Sequence, residues 1–278
     1  MTQGSRIIRK LRFSRRYLNS SGSSSSILRC SRAPVFARSH NSGTISTSSP
    51  KGTCSNFSDA FSEENKDRLV RQLGRMRIPK SLVARCSEEA AVFVPFCLVN
   101  SIPSLLFTLR SSQLNSHRGE VSFPGGKRDP EDNSMVDTAV REMEEELGLE
   151  RSRVQVWAQM PAFPDRVGKT AVTPVIGFLG EIDLNSLKLN PEEVESVFTL
   201  SLAHLCSPQN HGYTKFTSQA VYPLFLNGPH KIWGLTAIVL EQVLLITVPE
   251  SFQKQFFRPV NKTLYTASMK ESGKKESD

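Results

Sequence analysis

The chain has 278 residues, 38% of them hydrophobic, with 35 Lys and Arg against 27 Asp and Glu and a formal charge of +8. That is enough apolar material for a real core, which excludes a disulfide-stapled mini-protein and a wholly disordered chain. The excess charge points at first to a polyanionic or membrane partner, but ten basic residues precede the first acid, Asp59, so residues 59–278 carry 25 basic against all 27 acidic residues, a net of −2.

Residues 1–58 are rich in Arg and Ser and free of acids, and they open on Ile7-Ile8-Arg9-Lys10-Leu11-Arg12-Phe13. Such composition marks a mitochondrial transit peptide, here expected to be disordered; a basic arm is the alternative. A mitochondrial location, in the matrix, follows from the first reading. No stretch reaches the roughly 18–20 uncharged apolar residues of a membrane span, so no integral membrane segment is expected; Glu241 and Gln242 interrupt the best candidate, Leu235 to Val248. The cysteines contain no C-x-x-C spacing, and Cys86, Cys97 and Cys206 are expected to be reduced, partly buried thiols.

In chain order, residues 59–77 predict a helix carrying Phe61, Leu69, Val70 and Leu73, ended by Pro79. Ala91 to Val99 is short, apolar and β-branched, a buried strand in which Pro95 calls for an edge position or a bulge. Asn100 to Pro103 makes a turn, and Ser104 to Arg110 is the hairpin partner. Further strands are expected at Glu120 to Phe123, Val154 to Gln159, Thr173 to Leu179, Glu195 to Leu200 and Ala220 to Leu226. Helices are expected at Ser201 to Cys206 and from Trp233 to about Leu245. Interleaved strands and helices give an α/β (α+β) class with a mixed sheet. The body should span residues 59–255, and a polar tail follows at 256–278.

The segment that carries chemistry runs from Gly125-Gly126-Lys127-Arg128-Asp129-Pro130-Glu131-Asp132 to Arg141-Glu142-Met143-Glu144-Glu145-Glu146-Leu147-Gly148. Ser134 can cap a helix, Asp137 stands three residues on, and Gly148 can stop it, so the helix covers about 135–147. At about 100° per residue, Glu142, Glu145 and Glu146 share one face and Glu144 points away. Val136, Ala139, Val140, Met143 and Leu147 form the apolar stripe that anchors the helix, which leaves the carboxylate face at the rim. Carboxylates so close repel one another unless a hard cation such as Mg²⁺ neutralises them. Arg141 lies four residues before Glu145 and can pair with it.

This pattern resembles the Nudix box, whose usual acid is Glu where this chain has Asp132 and whose spacing from that acid to the Arg is one residue shorter. The upstream segment, Leu106 to Ser112 and His117 to Gly126, resembles the signature of the coenzyme A diphosphatases within the Nudix family, with Asn115 where that signature has Arg. Further likeness lies at Asn190-Pro191-Glu192-Glu193-Val194 with Val197-Phe198, and at Ile232 to Ala237; the mitochondrial member is the nearest in kind. The resemblance implies an α/β/α sandwich with a catalytic loop-helix-loop. It also implies Mg²⁺- or Mn²⁺-dependent hydrolysis of the pyrophosphate of coenzyme A or acyl-CoA, a small-molecule partner and no nucleic acid. Glu142, Glu145 and Glu146 would be metal ligands, Arg141 their orienting residue and the Gly125 carbonyl a further ligand. Arg110, His117, Arg118, Lys127 and Arg128 would serve the substrate phosphates. Glu142 is the first choice for general base, with Glu193 or Glu195 possible, and the loop from Pro161 to Arg166 is a candidate for the mouth. Two alternatives stand beside this reading: hydrolysis of another nucleoside diphosphate derivative, such as ADP-ribose or a dinucleotide, and a noncatalytic nucleotide-binding module.

Overall fold

The computed structural model describes residues 57–114, 117–215 and 221–252. The presequence reading of 1–58, the polar tail and Asn115 therefore lie almost wholly outside the described residues. A short 3-10 turn at Phe57–Phe61 leads into helix α1, Glu63–Arg75, capped by the Ser62 hydroxyl, which accepts from the Asn65 amide. The single expected helix is thus two pieces, and it ends at Arg75, well before Pro79. A one-turn helix α2, Lys80–Val83, follows.

Strands β1, Glu88–Val99, and β2, Ile102–Arg110, are joined by Asn100 and Ser101 alone. Both residues have positive φ, 51° and 62°, the backbone twist that two-residue hairpins favour. Strands β3, Val121–Ser122, and β4, Gly125–Lys127, replace the one strand expected at 120–123. The box helix α3, Met135–Leu147, has the expected bounds, with the Ser134 hydroxyl accepting from the Asp137 amide at 3.1 Å and Gly148 left-handed at φ 65°. After it come β5, Gln155–Gln159; β6, Phe163–Pro164; β7, Thr170–Glu181; and β8, Val194–Ser201. Helix α4, Leu202–Cys206, precedes the hairpin β9, His211–Lys215, and β10, Val221–Phe225, and α5, Gly234–Thr247, closes the described chain. The sequence reading missed β9 and the two-residue β6.

The main sheet runs β3-β2-β1-β7-β5, with β4 also on β1, β6 on β7 and β8 on β2. β1 and β7 are parallel; the other pairs are antiparallel. β1 is therefore central, and the edge position expected from Pro95 is corrected. β1 pairs with β4 over Ala90 to Val92 and with β2 over Phe96 to Val99. The Phe93 amide points to that same side, donating to the Pro124 carbonyl at 2.8 Å, so the nitrogen of Pro95, two residues on, faces the gap where one partner gives way to the other. Proline's missing donor costs nothing there.

Period-two alternation sends the two faces of the sheet into different cores. Ala91, Phe93 and Cys97 of β1, Leu106 of β2 and Val175 and Leu179 of β7 meet Ala139, Val140, Met143 and Leu147 of α3. On the other side, Val94, Phe96, Leu105, Phe107 and Ile176 pack with Leu69 and Leu73 of α1 and Val239, Leu240, Val243 and Leu244 of α5. The result is the α/β/α sandwich, with mixed sheet. Among the described residues no helix is long and apolar enough to cross a membrane. Cys97 and Cys206 are buried, and desolvation pushes both thiols up to about 12, as expected of unreactive thiols.

Candidate active site

The Gly-Gly turn brings β4 against the box helix. Gly125 sits at φ 152°, and a Cβ there would meet the Val92 Cα at 2.6 Å, so backbone can approach here only without a side chain. A Cβ on Gly126 would fall on the Glu142 carboxylate. These two glycines therefore keep open the space into which α3 projects its acids.

Arg141 is the hub of the loop-helix junction. Its Nε and Nη2 donate to the two oxygens of Asp132, each at 3.0 Å, and Nη2 also donates to the Lys127 carbonyl at 3.0 Å. Nη1 reaches Glu145 at 2.9 Å and Glu142 at 3.2 Å. Asp132 is itself buried and accepts from the Asp129 amide at 2.9 Å. Its carboxyl is held far below the usual range, above all by Arg141, and the Arg141 guanidinium is raised in turn. The shorter acid and the extra residue of spacing thus still deliver a two-pronged carboxylate to Arg141.

The three box glutamates are not equivalent. Glu145 is 53% exposed and turned to Arg141; Glu142 is 13% exposed; Glu146 is 1% exposed. The rim position read from the helical wheel is corrected for Glu146. After the 3-10 turn Leu184–Ser186 the chain returns to the end of α3: the Lys188 amide donates to the Leu147 carbonyl at 3.1 Å and the Asn190 amide to the Glu146 carbonyl at 3.0 Å. This segment satisfies the last carbonyls of the helix, lies over its final turn, and delivers Glu193. The Asn190 carbonyl accepts from the Glu193 and Val194 amides, and the Ser111 amide donates to the Glu193 carbonyl at 2.8 Å.

Among the described residues, one carboxylate oxygen each from Glu142, Glu146 and Glu193 lies within 4.8 Å of the others. Glu145 and the exposed Glu195 stand outside that group. Glu146 Oε2 is buried without a hydrogen-bond partner, and the facing cation is Arg110, whose Nη1 lies 3.7 Å from Oε1. Burial pushes Glu146 up to about 8, with Arg110 pulling down and Glu142 and Glu193 adding repulsion. Burial likewise pushes Glu142 up to about 7, against Arg141 and together with Glu193 and Glu145. Converging oxygens, an orphaned lone pair and too few donors are the surroundings that a hard divalent cation satisfies.

Of the five basic candidates, Arg110, at the end of β2, faces this cluster. Lys127 pairs with Glu88 at 3.0 Å, Arg128 with Glu89 at 2.9 Å, and His117 with Glu120 at 2.8 Å; Arg118 bonds the Leu114 carbonyl. Sequence reasoning raised Glu193 only as a possible base. The signal that could have placed it with the box acids was the Asn-Pro-Glu-Glu-Val run, but nothing local fixes its distance from α3.

A sandwich in which a Gly-Gly turn and an acid-faced helix meet at one end of a mixed sheet defines a Nudix-type hydrolase. A profile of the NUDIX domain matches residues 90–220. The chain is 44% identical over 210 residues to the mouse (Mus musculus) protein "Mitochondrial coenzyme A diphosphatase NUDT8", covering 72% of this chain and 96% of that one. It is 48% identical over 171 residues to the human (Homo sapiens) protein of the same name, covering 59% and 72%. It is 31% identical over 216 residues to "Nudix hydrolase 3" of Caenorhabditis elegans, covering 69% and 89%. The chain belongs to the Nudix hydrolase family, whose members depend on divalent metal.

Proposed function

We propose that this protein hydrolyses the pyrophosphate bond of coenzyme A or acyl-CoA in mitochondria, releasing 3′,5′-ADP and (acyl-)4′-phosphopantetheine, with Mg²⁺ or Mn²⁺ as cofactor. The observation that carries the substrate is the likeness to the mouse coenzyme A diphosphatase over nearly all of that protein's length. Residues 1–58 are read as the import address, 59–255 as the catalytic domain and 256–278 as a tail.

Glu142, Glu146 and Glu193 would hold the cation, with the Gly125 carbonyl beside them and Glu145 on the solvent side. When bound, the ion neutralises phosphate oxygens and lowers the pKa of a coordinated water. Arg141 fixes the rotamers of Glu142 and Glu145 through its own anchorage on Asp132. Arg110 reaches from the cluster towards the substrate and offers its guanidinium to a phosphate. Glu142 and Glu193 are the half-buried carboxylates placed to take the proton of the attacking water; Glu195, exposed and outside the cluster, does not share that position. His117, Arg118, Lys127 and Arg128 remain candidates for the outer phosphates, and each would have to leave or share its present partner.

Incubation of the protein with coenzyme A and Mg²⁺ or Mn²⁺ should release the two products named above. Cleavage of ADP-ribose or a dinucleotide in preference to coenzyme A would overturn the substrate assignment, and absence of any metal-dependent hydrolysis would overturn the enzymatic one.

A further inference from the structure

The net charge of −2 over residues 59–278 conceals an uneven distribution. Between Asp67 and Glu88 the chain has six basic residues, Arg68, Arg71, Arg75, Arg77, Lys80 and Arg85, and no acid. Arg68 is spent on structure, donating to the Thr247 carbonyl at 2.7 Å at the end of α5. The other five are exposed. Arg77 bonds only the backbone carbonyls of Gly74 and Met76, and none of the five pairs with a carboxylate among the described residues.

The fold adds to this run from another part of the sequence. α2, which begins at Lys80, packs against β6, and the hairpin after β6 carries Arg166 and Lys169. The Ser87 and Glu88 amides both donate to the Lys169 carbonyl, at 2.9 and 3.2 Å, so Arg85 is brought close to that hairpin. The acids of this edge are already engaged. Glu88 is shared by Lys127 and Lys169, Glu89 holds Arg128, and the Asp165 carboxylate accepts from the Gly168 and Lys169 amides. Among the described residues Arg166, exposed, pairs with no carboxylate. At the tip stands Val167, 66% exposed, the most exposed large hydrophobic residue described, with Arg166 before it and Lys169 after.

We propose that this edge docks on an anionic phospholipid surface, with the cations 75–85 and Arg166 against the headgroups and Val167 entering among them. Exposed cations around an apolar tip suit a lipid interface, where both contribute. A single-stranded nucleic acid would instead call for aromatic faces among the cations, and residues 68–87 contain no aromatic residue. Arg75, Arg77, Lys80, Arg85 and Val167 lie outside the acid cluster of α3 and Glu193, so hydrolysis can be measured beside docking.

The test is co-sedimentation of the full chain with vesicles of phosphatidylcholine alone and of phosphatidylcholine doped with phosphatidylglycerol. The parent is compared with the R75Q/R77Q/K80Q/R85Q variant and with Val167→Asp. The basic residues of 1–58 are the same in all three proteins, so a difference between them reports this edge. Binding to the anionic vesicles alone, weakened about tenfold or more in the fourfold variant and also reduced in Val167→Asp, is the expected result. Thermal melting and metal-dependent hydrolysis of a soluble substrate should be unchanged in both variants. Equal binding to neutral vesicles, equal binding by parent and fourfold variant, or binding to RNA with none to vesicles would each overturn the proposal.

Discussion

Replacing Glu146 by Gln separates what the buried carboxylate does for the reaction from what it costs the fold. The side chain is 1% exposed, one oxygen has no partner, and its pKa rises from an ordinary 4.5 to about 8. A rise from 4.5 to about 8 corresponds to roughly 5 kcal/mol against the ionised form, an upper figure because relaxation and water entry would relieve part of it. A carboxyl whose folded-state pKa is raised contributes full stability below its unfolded pKa and loses it as pH rises through the folded one. The metal-free parent should therefore melt progressively lower between about pH 4.5 and about 8, by on the order of 10 °C if the full penalty is felt. The Gln variant loses this titration and keeps only that of Glu142, so its melting curve should be flatter with pH and, near pH 8 without metal, no lower than the parent's. Added Mg²⁺ or Mn²⁺ should raise the parent's melting temperature and leave the variant's nearly unmoved. Turnover should fall by about a thousandfold, since charge stabilisation at such sites supplies several kcal/mol. Scanning calorimetry of both proteins across this pH range, with and without metal, checks the reasoning. A parent that grows more stable on going to pH 8 without metal, or a variant that keeps its activity and its response to metal, would refute it.

Asp132→Ala removes the two-pronged anchor of the Arg141 guanidinium and leaves it Glu145, Glu142 and the Lys127 carbonyl; a loss of about 2 kcal/mol in urea unfolding is expected, with turnover reduced as well. An unaltered unfolding midpoint would show that Asp132 does not anchor Arg141. Gly126→Ala places a methyl on the Glu142 carboxylate, so kcat should drop by about a hundredfold through displacement of that group, while the core, which Gly126 does not enter, keeps the melting temperature close to the parent's. Wild-type kcat in this variant would mean that Glu142 is free to move without consequence. Removing residues 1–58 should abolish mitochondrial import and preserve hydrolysis, as read by cell fractionation beside an assay of the purified protein; continued import would place the address elsewhere.

Local physics made much of the fold and part of the site legible in the sequence. The box helix came out with its bounds because its signals are short-range: a Ser cap, a Gly stop and an apolar stripe at helical spacing. The partnership of Arg141 with Glu145 is an i,i+4 relation and needed nothing else. The hairpin of β1 and β2 was written in a turn between two apolar runs, although the turn proved tighter than expected. The same local view gave Pro95 an edge or a bulge, because no residue near it records that β4 hands over to β2 at that point.

What the sequence by itself determined is which residues can carry the chemistry and on which elements they ride. What only the tertiary structure decided is their environment. Helical periodicity puts Glu142, Glu145 and Glu146 on one face and cannot grade them. The segment at 188–193 bonds the last carbonyls of α3 and brings Glu193 in as the third converging acid, and in the folded chain Glu146 is buried while Glu145 stays in solvent. Charge followed the same division. Its sum over the chain is composition, but the gathering of Arg85 with the hairpin of Arg166 and Lys169, some eighty residues later in sequence, exists only because β1 and β7 lie side by side. Burial and proximity are set by distant segments meeting, and no window of sequence contains both partners.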